Sequence, residues 1–185
     1  MKGIIFREFI DMVEAQFSPQ MVDDIIQAST LASGGAYTSV GTYPHDEMFQ
    51  LVEHLSIRSE IPIPGLLMHF GRHLFHRFTV IHPEYITSHA SAFELLKILD
   101  NDVHVEVRKL YQDAEVPTFD YQDLSDNRML FIYQSSRPLA DLAQGLIEGC
   151  IEHFGETMTI ERNDLPVATG AHTEFILHNL SDAQP

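Results

Sequence analysis

One histidine and a later Tyr-x-Ser-x-Arg sequence are the residues of this chain whose types and spacing could do chemistry. His104 lies in the run Asp100–Pro117, which reads DNDVHVEVRKLYQDAEVP, and Tyr133, Ser135 and Arg137 follow in the run MLFIYQSSR. A neutral imidazole is a common ligand for transition metals. A guanidinium and two hydroxyl groups on one surface are suited to bind an anion. The pattern therefore indicates a metal ligand and an anion-binding surface.

Two predicted elements position these side chains. Apolar residues recur at spacings of three and four, which predicts an amphipathic helix over Asp100–Pro117; they are Leu96, Leu99, Val103, Val107 and Leu110. His104 lies beside this stripe, so its ring could lean into the interior. In an extended strand over Met129–Arg137, alternate side chains share a face. The tyrosine, serine and arginine of the motif would then line one face over roughly 13 Å, at about 3.3 Å per residue.

The remaining pattern predicts an α+β fold, with a helical N-terminal part followed by a C-terminal antiparallel sheet and a packed helix. The other predicted helices are residues 3–17, 20–31, 45–59, 66–81 and 139–154. We expect Ser18, His45 or Asp46, and the Ser91-x-x-Glu94 capping box to begin three helices. The other strands are expected around Phe119 and Tyr121 and over residues 157–162 and 174–178. No linker or repeat divides the chain, so we expect a single domain over 1–185 with residues 181–185 as a frayed tail.

Composition excludes several function classes. The formal net charge of −16 argues against binding to nucleic acid, whose phosphates would be repelled. No apolar run approaches the roughly 18 residues that a membrane span requires, and the N-terminus does not have the pattern of a secretory signal. The single cysteine, Cys150, excludes an internal disulfide and suits a reducing compartment. We therefore expect a cytoplasmic protein that binds neither nucleic acid nor membrane.

Together, these residues resemble the haem nitric oxide/oxygen-binding family of its bacterial stand-alone type, which is related to the gas-sensing domain of soluble guanylate cyclase. The family pattern is a histidine followed by an apolar, basic run to a proline, and then Tyr-x-Ser-x-Arg. It stands here as His104–Pro117 and Tyr133–Arg137. The opening Met1–Ile5 and the run Gly145–Gly149 are also similar to the family. The resemblance covers essentially the whole chain.

The resemblance implies a haem b that lies between the helical part and the sheet. Because the chain has no Cys-x-x-Cys-His sequence, any haem would be held noncovalently. By the resemblance, His104 binds the iron from the proximal side. Tyr133, Ser135 and Arg137 clamp the propionates, which need charge-assisted partners when buried. Pro117 would lie against the macrocycle and could distort its plane.

Three apolar residues map to the distal pocket in that resemblance, namely Ile5, Leu74 and Leu142. Relatives that bind oxygen place a tyrosine five residues after the motif arginine, where this chain has Leu142. Bound oxygen gains from such a donor, whereas nitric oxide binds ferrous iron strongly without one. The resemblance therefore implies that nitric oxide and carbon monoxide are bound in preference to oxygen.

The resemblance further implies a sensor that is read by a partner. Nitric oxide would weaken the bond between iron and His104, and loss of that bond would free the His104 helix as a two-state change. The chain has no kinase, cyclase or phosphodiesterase motif, so we expect a separate partner: a histidine kinase or a cyclic-di-nucleotide signalling enzyme. Two alternatives stay open, which are a haem enzyme with peroxidase or nitric oxide-scavenging activity, and a haem-free interaction or metal-binding module.

Other histidines raise the question of a further metal. His69, His73 and His76 share one helix face with a spacing that can bind zinc, but with no cysteine or carboxylate to complete a site a solvated face is favoured. Some bacterial relatives hold zinc in a C-terminal cysteine/histidine cluster. The corresponding loop, 165–172, has no cysteine, so we expect no structural zinc and ordinary polar roles for His172 and His178. Gln112 also departs from the proline that relatives often have.

Overall fold

The computed structural model of this protein describes residues 1–111 and 115–180, except for the side chain of residue 110. The departure at Gln112 and the predicted tail at 181–185 lie outside the described residues. In the described part, helices come first and an antiparallel sheet follows, which confirms the α+β prediction. The helices are α1 Gly3–Gln16, α2 Pro19–Ala28, α3 His45–Ser59, α4 Ile63–Ile81, α5 Ala92–Ile98, α6 His104–Leu110 and α7 Ala140–His153. No helix of these residues is both long enough and apolar enough to cross a bilayer.

The first four helices bury one apolar core. The inward face of α1 is fully buried at Phe6, Phe9, Met12 and Val13, as its three- and four-residue spacing requires. Ser18 begins α2 as predicted, because its Oγ accepts a hydrogen bond of 3.1 Å from the amide of Met21. This core positions α4 and the N-terminal end of α7.

Four strands form the sheet, which are β1 Thr118–Ser125, β2 Arg128–Ser135, β3 Met158–Asp164 and β4 Ala171–Asn179. Their order is β1-β2-β4-β3, and every neighbouring pair is antiparallel. Alternate residues of the two central strands are buried on the face toward α7; they are Met129, Phe131, Tyr133, Thr173, Phe175 and Leu177. The sheet thus has its own core, with α7 and α5 packed against it.

Helix α7 joins the two cores. Leu139 and Leu142 at its N-terminal end pack into the core of the first four helices, whereas Ile147 and Cys150 pack into the core of the sheet. Helix α7 can contact both cores because its glycines let its backbone approach that of α4 very closely. A Cβ atom on Gly145 would lie 2.1 Å from the carbonyl oxygen of Met68.

One predicted helix cap and one predicted helix beginning were wrong. Helix α3 begins at His45, with Pro44 in the capping position and no side chain that caps its amides. Neither His45 nor Asp46 is therefore the cap. Helix α4 begins at Ile63 rather than Leu66, because Pro64 fits the first turn of a helix, where its missing N–H is not needed.

The helical region that Ser91 was predicted to begin is present, but the helix predicted over Asp100–Pro117 ends at Leu110 rather than at Pro117. Helical structure already begins at Ala92, where Ser91 caps α5 as predicted by accepting a 3.2 Å hydrogen bond from the amide of Glu94. A π-helical turn at Leu99–Val103 then leads into α6, which ends at Leu110. After that residue no apolar stripe continues that could stabilise further turns by packing.

A substitution can test the glycine contact between α4 and α7. We expect Gly145→Ala to lower the free energy of unfolding by about 1–3 kcal/mol, because the new methyl group would overlap a backbone oxygen of α4. Gly65→Ala, in the first turn of α4, is the matched control, since its Cβ would meet only Ile61 at 3.6 Å. That control should be neutral or gain up to about 1 kcal/mol from helix propensity. Equal effects in urea unfolding would contradict the close-contact account.

Candidate functional site

His104 is the first residue of α6, directly after the π-helical turn. Its side chain is only 15% exposed, so the ring does lean into the interior. The ring lies 5.4 Å from that of Phe119 on β1, and it also contacts the backbone of Pro117. Burial lowers the pKa of His104 below its ordinary value, although the nearby Asp100 carboxylate opposes this shift. The imidazole is therefore neutral at pH 7 and has a lone pair to offer a metal.

Tyr133 and Ser135 lie on the inner face of β2, as the strand pattern predicted. The Tyr133 side chain is buried, which raises the pKa of its phenol, and its hydroxyl is hydrogen-bonded to Ser135. Phe119 lies opposite Tyr133 in the sheet register, with their rings 5.5 Å apart. The Phe119 ring also contacts His104, so it lies between His104 and Tyr133.

Arg137 departs from the predicted strand. Strand β2 ends at Ser135, where its partner strand begins with Ala171, so strand alternation does not place the arginine. A turn does so instead, because the Arg137 amide donates a 3.1 Å hydrogen bond to the Ser135 Oγ. The arginine side chain is still only 10% exposed and lies beside Tyr133 and Ser135. The predicted grouping is thus present, but it is built by a turn.

The Arg137 guanidinium has a carboxylate partner that the sequence did not predict. Its Nη1 donates to the Glu115 carbonyl at 2.8 Å, and its Nη2 donates to Glu115 Oε2 at 2.7 Å. The Glu115 side chain is 73% exposed, so this partner comes from the protein surface. Arg137 Nε is buried and has no hydrogen-bond partner. The guanidinium is therefore already arranged to hold a carboxylate, and its buried Nε donor is left over.

The three residues assigned to a distal pocket come from α1, α4 and α7. Leu74 and Leu142 are buried in the core of the first four helices, and Ile5 packs against it partly buried. The structure thus brings these apolar side chains into one core. Tyr133 belongs to the other core, that of the sheet.

The histidine-rich face of α4 lines a surface cavity of about 450 Å³. His69 contacts Gln16, while His73 Nε2 lies 3.7 Å from Glu8 and His76 Nε2 lies 3.7 Å from Glu152. Within residues 1–111 and 115–180, no three His, Cys, Asp or Glu side chains are arranged to hold a metal ion. A carboxylate thus lies near His73 and another near His76, which the sequence did not predict, but they do not complete a three-ligand site.

Comparison with known proteins assigns the family. Residues 2–162 match the family model described as Haem-NO-binding. This chain belongs to the H-NOX family. Its members are haem-based gas-sensor domains, and H-NOX domains bind haem. No curated protein matches this H-NOX chain.

Solved H-NOX structures are similar over almost the full length. An Fe(II) unliganded H-NOX protein from K. algicida is 39% identical, with 97% of this chain and 96% of that chain covered and a TM-score of 0.90. The solution structure of an IWP-051-bound H-NOX from Shewanella woodyi, in the Fe(II)CO state, is 38% identical, with 96% and 94% covered and a TM-score of 0.82. An H-NOX protein from S. oneidensis in the Fe(II)NO state is 27% identical, with 97% and 99% covered and a TM-score of 0.87.

The described residues of this H-NOX domain fit a haem group. Haem needs an axial ligand for its iron and partners for its two propionate carboxylates. His104 offers a buried, neutral imidazole, and Arg137 offers a buried guanidinium with an unused Nε donor beside two hydroxyl groups. The buried Nε of Arg137 has no partner, which costs free energy unless something completes it.

Sequence reasoning missed three side chains at this site, namely Asp100, Glu115 and Phe119. The spacing of Asp100, four residues before His104, was a readable signal for a contact on one helix face. The position of Phe119 opposite Tyr133 follows from a hairpin that turns at residues 126–127. Glu115 gave no signal, because it lies in an irregular segment whose course depends on tertiary contacts.

The ion pair between Arg137 and Glu115 predicts competition with haem. A propionate must displace the Glu115 carboxylate, so Glu115→Gln should raise the affinity of the apoprotein for haem. Arg137→Ala should lower it by about tenfold to a hundredfold, because charge-assisted hydrogen bonds are worth roughly 1.5–3 kcal/mol. Spectroscopic haem titration measures both.

Glu106→Gln is the matched control for that titration. Glu106 pairs with Lys109 on α6, at 2.6 Å, and so loses the same charge without touching Arg137. An equal gain of affinity for Glu106→Gln and Glu115→Gln would show a general effect of net charge and would contradict the competition.

Proposed function

We propose that this H-NOX domain is a nitric oxide sensor that holds a noncovalent b-type haem through His104 and also binds carbon monoxide. The observation that carries the proposal is the pairing of a buried neutral imidazole with a buried guanidinium that still has a free donor. When bound, ferrous haem supplies a coordination position that takes up these gases. The relatives from S. oneidensis and Shewanella woodyi, described in the Fe(II)NO and Fe(II)CO states, support this proposal.

Each residue of the site would have a distinct role. His104 would hold the iron from the proximal side, and Pro117, whose backbone contacts the imidazole, would press on the macrocycle. Arg137 would bind a propionate in place of Glu115, with Tyr133 and Ser135 as further donors. The role of Arg137 uses a buried donor that otherwise has no partner.

Ile5, Leu74 and Leu142 would form the distal side. These side chains offer no hydrogen-bond donor, so a ligand that gains from one, such as oxygen, would be bound less well. The same feature argues against peroxidase chemistry, which needs a distal acid–base pair. H-NOX domains are sensor domains, and we propose that this one has no catalytic residue of its own.

The signal would begin at His104 because it is the first residue of α6. Release of its side chain from the iron would remove a constraint on α6 and on the π-helical turn before it. Such a ligand-dependent equilibrium between two states is sufficient for signalling. We propose a cytoplasmic partner that reads it, either a histidine kinase or a cyclic-di-nucleotide signalling enzyme.

A histidine substitution tests the proximal assignment. His104→Ala should abolish the five-coordinate ferrous absorption spectrum, because no side chain then reaches the iron. Added imidazole should restore it by filling the space left by the ring. The control His73→Ala, on α4, should retain the wild-type spectrum. A normal ferrous spectrum in His104→Ala without imidazole would remove His104 from its role.

A second substitution tests discrimination against oxygen. Leu142→Tyr adds a hydroxyl donor on the distal side and should produce a stable oxygen complex in the ferrous protein. Leu142→Phe is the matched control, because it adds the same ring without the hydroxyl group. Optical spectra in air decide the outcome. Equal behaviour of the two variants, or a stable oxygen complex in the wild-type protein, would contradict the role given to Leu142.

A further inference from the structure

The turn that leads into His104 has an unusual hydrogen-bond pattern. In an α-helix the His104 amide would donate to the carbonyl oxygen of Asp100, four residues earlier. Here it donates to the carbonyl oxygen of Leu99, five residues earlier. Such π-helical turns occur frequently at functional sites. The Asp100 carbonyl instead accepts a 3.2 Å hydrogen bond from Arg108 Nη2.

The Asp100 carboxylate lies between an imidazole and a guanidinium. Its Oδ1 is 3.6 Å from His104 Nδ1 and 3.7 Å from Arg108 Nη1. Neither distance is a hydrogen bond, and both Asp100 Oδ1 and His104 Nδ1 are buried without a hydrogen-bond partner. A donor and an acceptor thus face each other at slightly more than hydrogen-bond length, while Arg108 lies beside the carboxylate and the Pro117 backbone contacts the imidazole.

We propose that Asp100 is the positioning residue for His104, accepting a hydrogen bond from Nδ1–H so that Nε2 is the nitrogen offered to the iron, and that Arg108 limits how strongly Asp100 does so. The proposal rests on the function proposed above for His104. It goes beyond that function because it assigns roles to two further residues. A movement of a few tenths of an ångström would bring the two atoms into a hydrogen bond.

A metal-binding histidine usually donates its second N–H to an oxygen acceptor, which fixes the ring and increases its basicity. A carboxylate does this more strongly than a neutral group, because the hydrogen bond is charge-assisted. Asp100 would therefore strengthen the bond between His104 and iron, and so set how readily that bond is lost.

Arg108 opposes this effect. Its guanidinium lies beside the same carboxylate oxygen and holds the Asp100 backbone as well. By sharing the negative charge, it withdraws electron density from the hydrogen bond to His104. The two residues should thus tune the strength of the same bond in opposite directions.

The first experiment compares Asp100→Asn with Asp102→Asn. Asp102 is exposed in the same π-helical turn, so its variant loses the same charge without contact to the ring. In the haem-loaded protein, Asp100→Asn should shift the Fe–His stretching band to lower frequency, raise the reduction potential and speed the loss of His104 on nitric oxide binding by about tenfold. Asp102→Asn should leave all three near the wild-type values.

The second variant separates tuning from structural damage. Arg108→Gln should shift the Fe–His band to higher frequency and lower the reduction potential, opposite in sign to Asp100→Asn. A purely structural role would move both variants in the same direction. Two results would overturn the proposal. One is identical spectra for Asp100→Asn and Asp102→Asn, and the other is a shift of the same sign for Arg108→Gln and Asp100→Asn.

An experiment on the apoprotein keeps this inference distinct from the proposed function. Nitrogen NMR of His104 should show the Nδ1–H tautomer in the wild type and in Asp102→Asn, and a shift toward the Nε2–H tautomer in Asp100→Asn. If the wild type takes up no haem, the proposed function fails while this measurement still decides the pairing. If haem binds but the tautomer is the same in all three proteins, the Asp100 proposal fails alone.

Discussion

The constraint on which this structure depends is the burial of two polar side chains in apolar surroundings. His104 and Arg137 each bury a nitrogen atom that has no hydrogen-bond partner, and an unmade hydrogen bond of this kind costs about 1–3 kcal/mol. Natural proteins rarely tolerate such atoms without a reason. The cost at Arg137 is explained if its guanidinium is arranged to bind a carboxylate ligand. The cost at His104 Nδ1 is recovered if Asp100 accepts its N–H while Nε2 is offered to iron.

Helix α7 and the sheet hold the two cores of the fold together. Because α7 contacts α4 at Gly71 and Gly145, the helical core and the sheet core approach each other across a single helix. Leu142 belongs to one core and Tyr133 to the other. A ligand held from the sheet side could therefore affect the packing of the helical part, since close-packed interiors transmit strain.

Much of this arrangement could be predicted from residue types and spacing, and the failures have physical causes. The stripe beside His104 predicted a buried ring correctly, and the alternation around Tyr133 predicted a strand. The π-helical turn was not predictable from periodicity, because it differs from an α-helix by one residue in hydrogen-bond register. Arg137 was grouped correctly but for the wrong reason, since the strand ends where its partner begins. The Glu115 contact depends on tertiary structure alone.

The central claim is that His104 holds ferrous haem and is released when nitric oxide binds. The most direct test is the anaerobic absorption spectrum of the ferrous wild-type protein, recorded before and after nitric oxide is added. The account predicts a five-coordinate ferrous spectrum that becomes a five-coordinate nitrosyl spectrum, as loss of the histidine requires. A nitrosyl spectrum that stays six-coordinate would show that His104 remains bound, and a colourless protein after expression with ample haem would contradict the account as a whole.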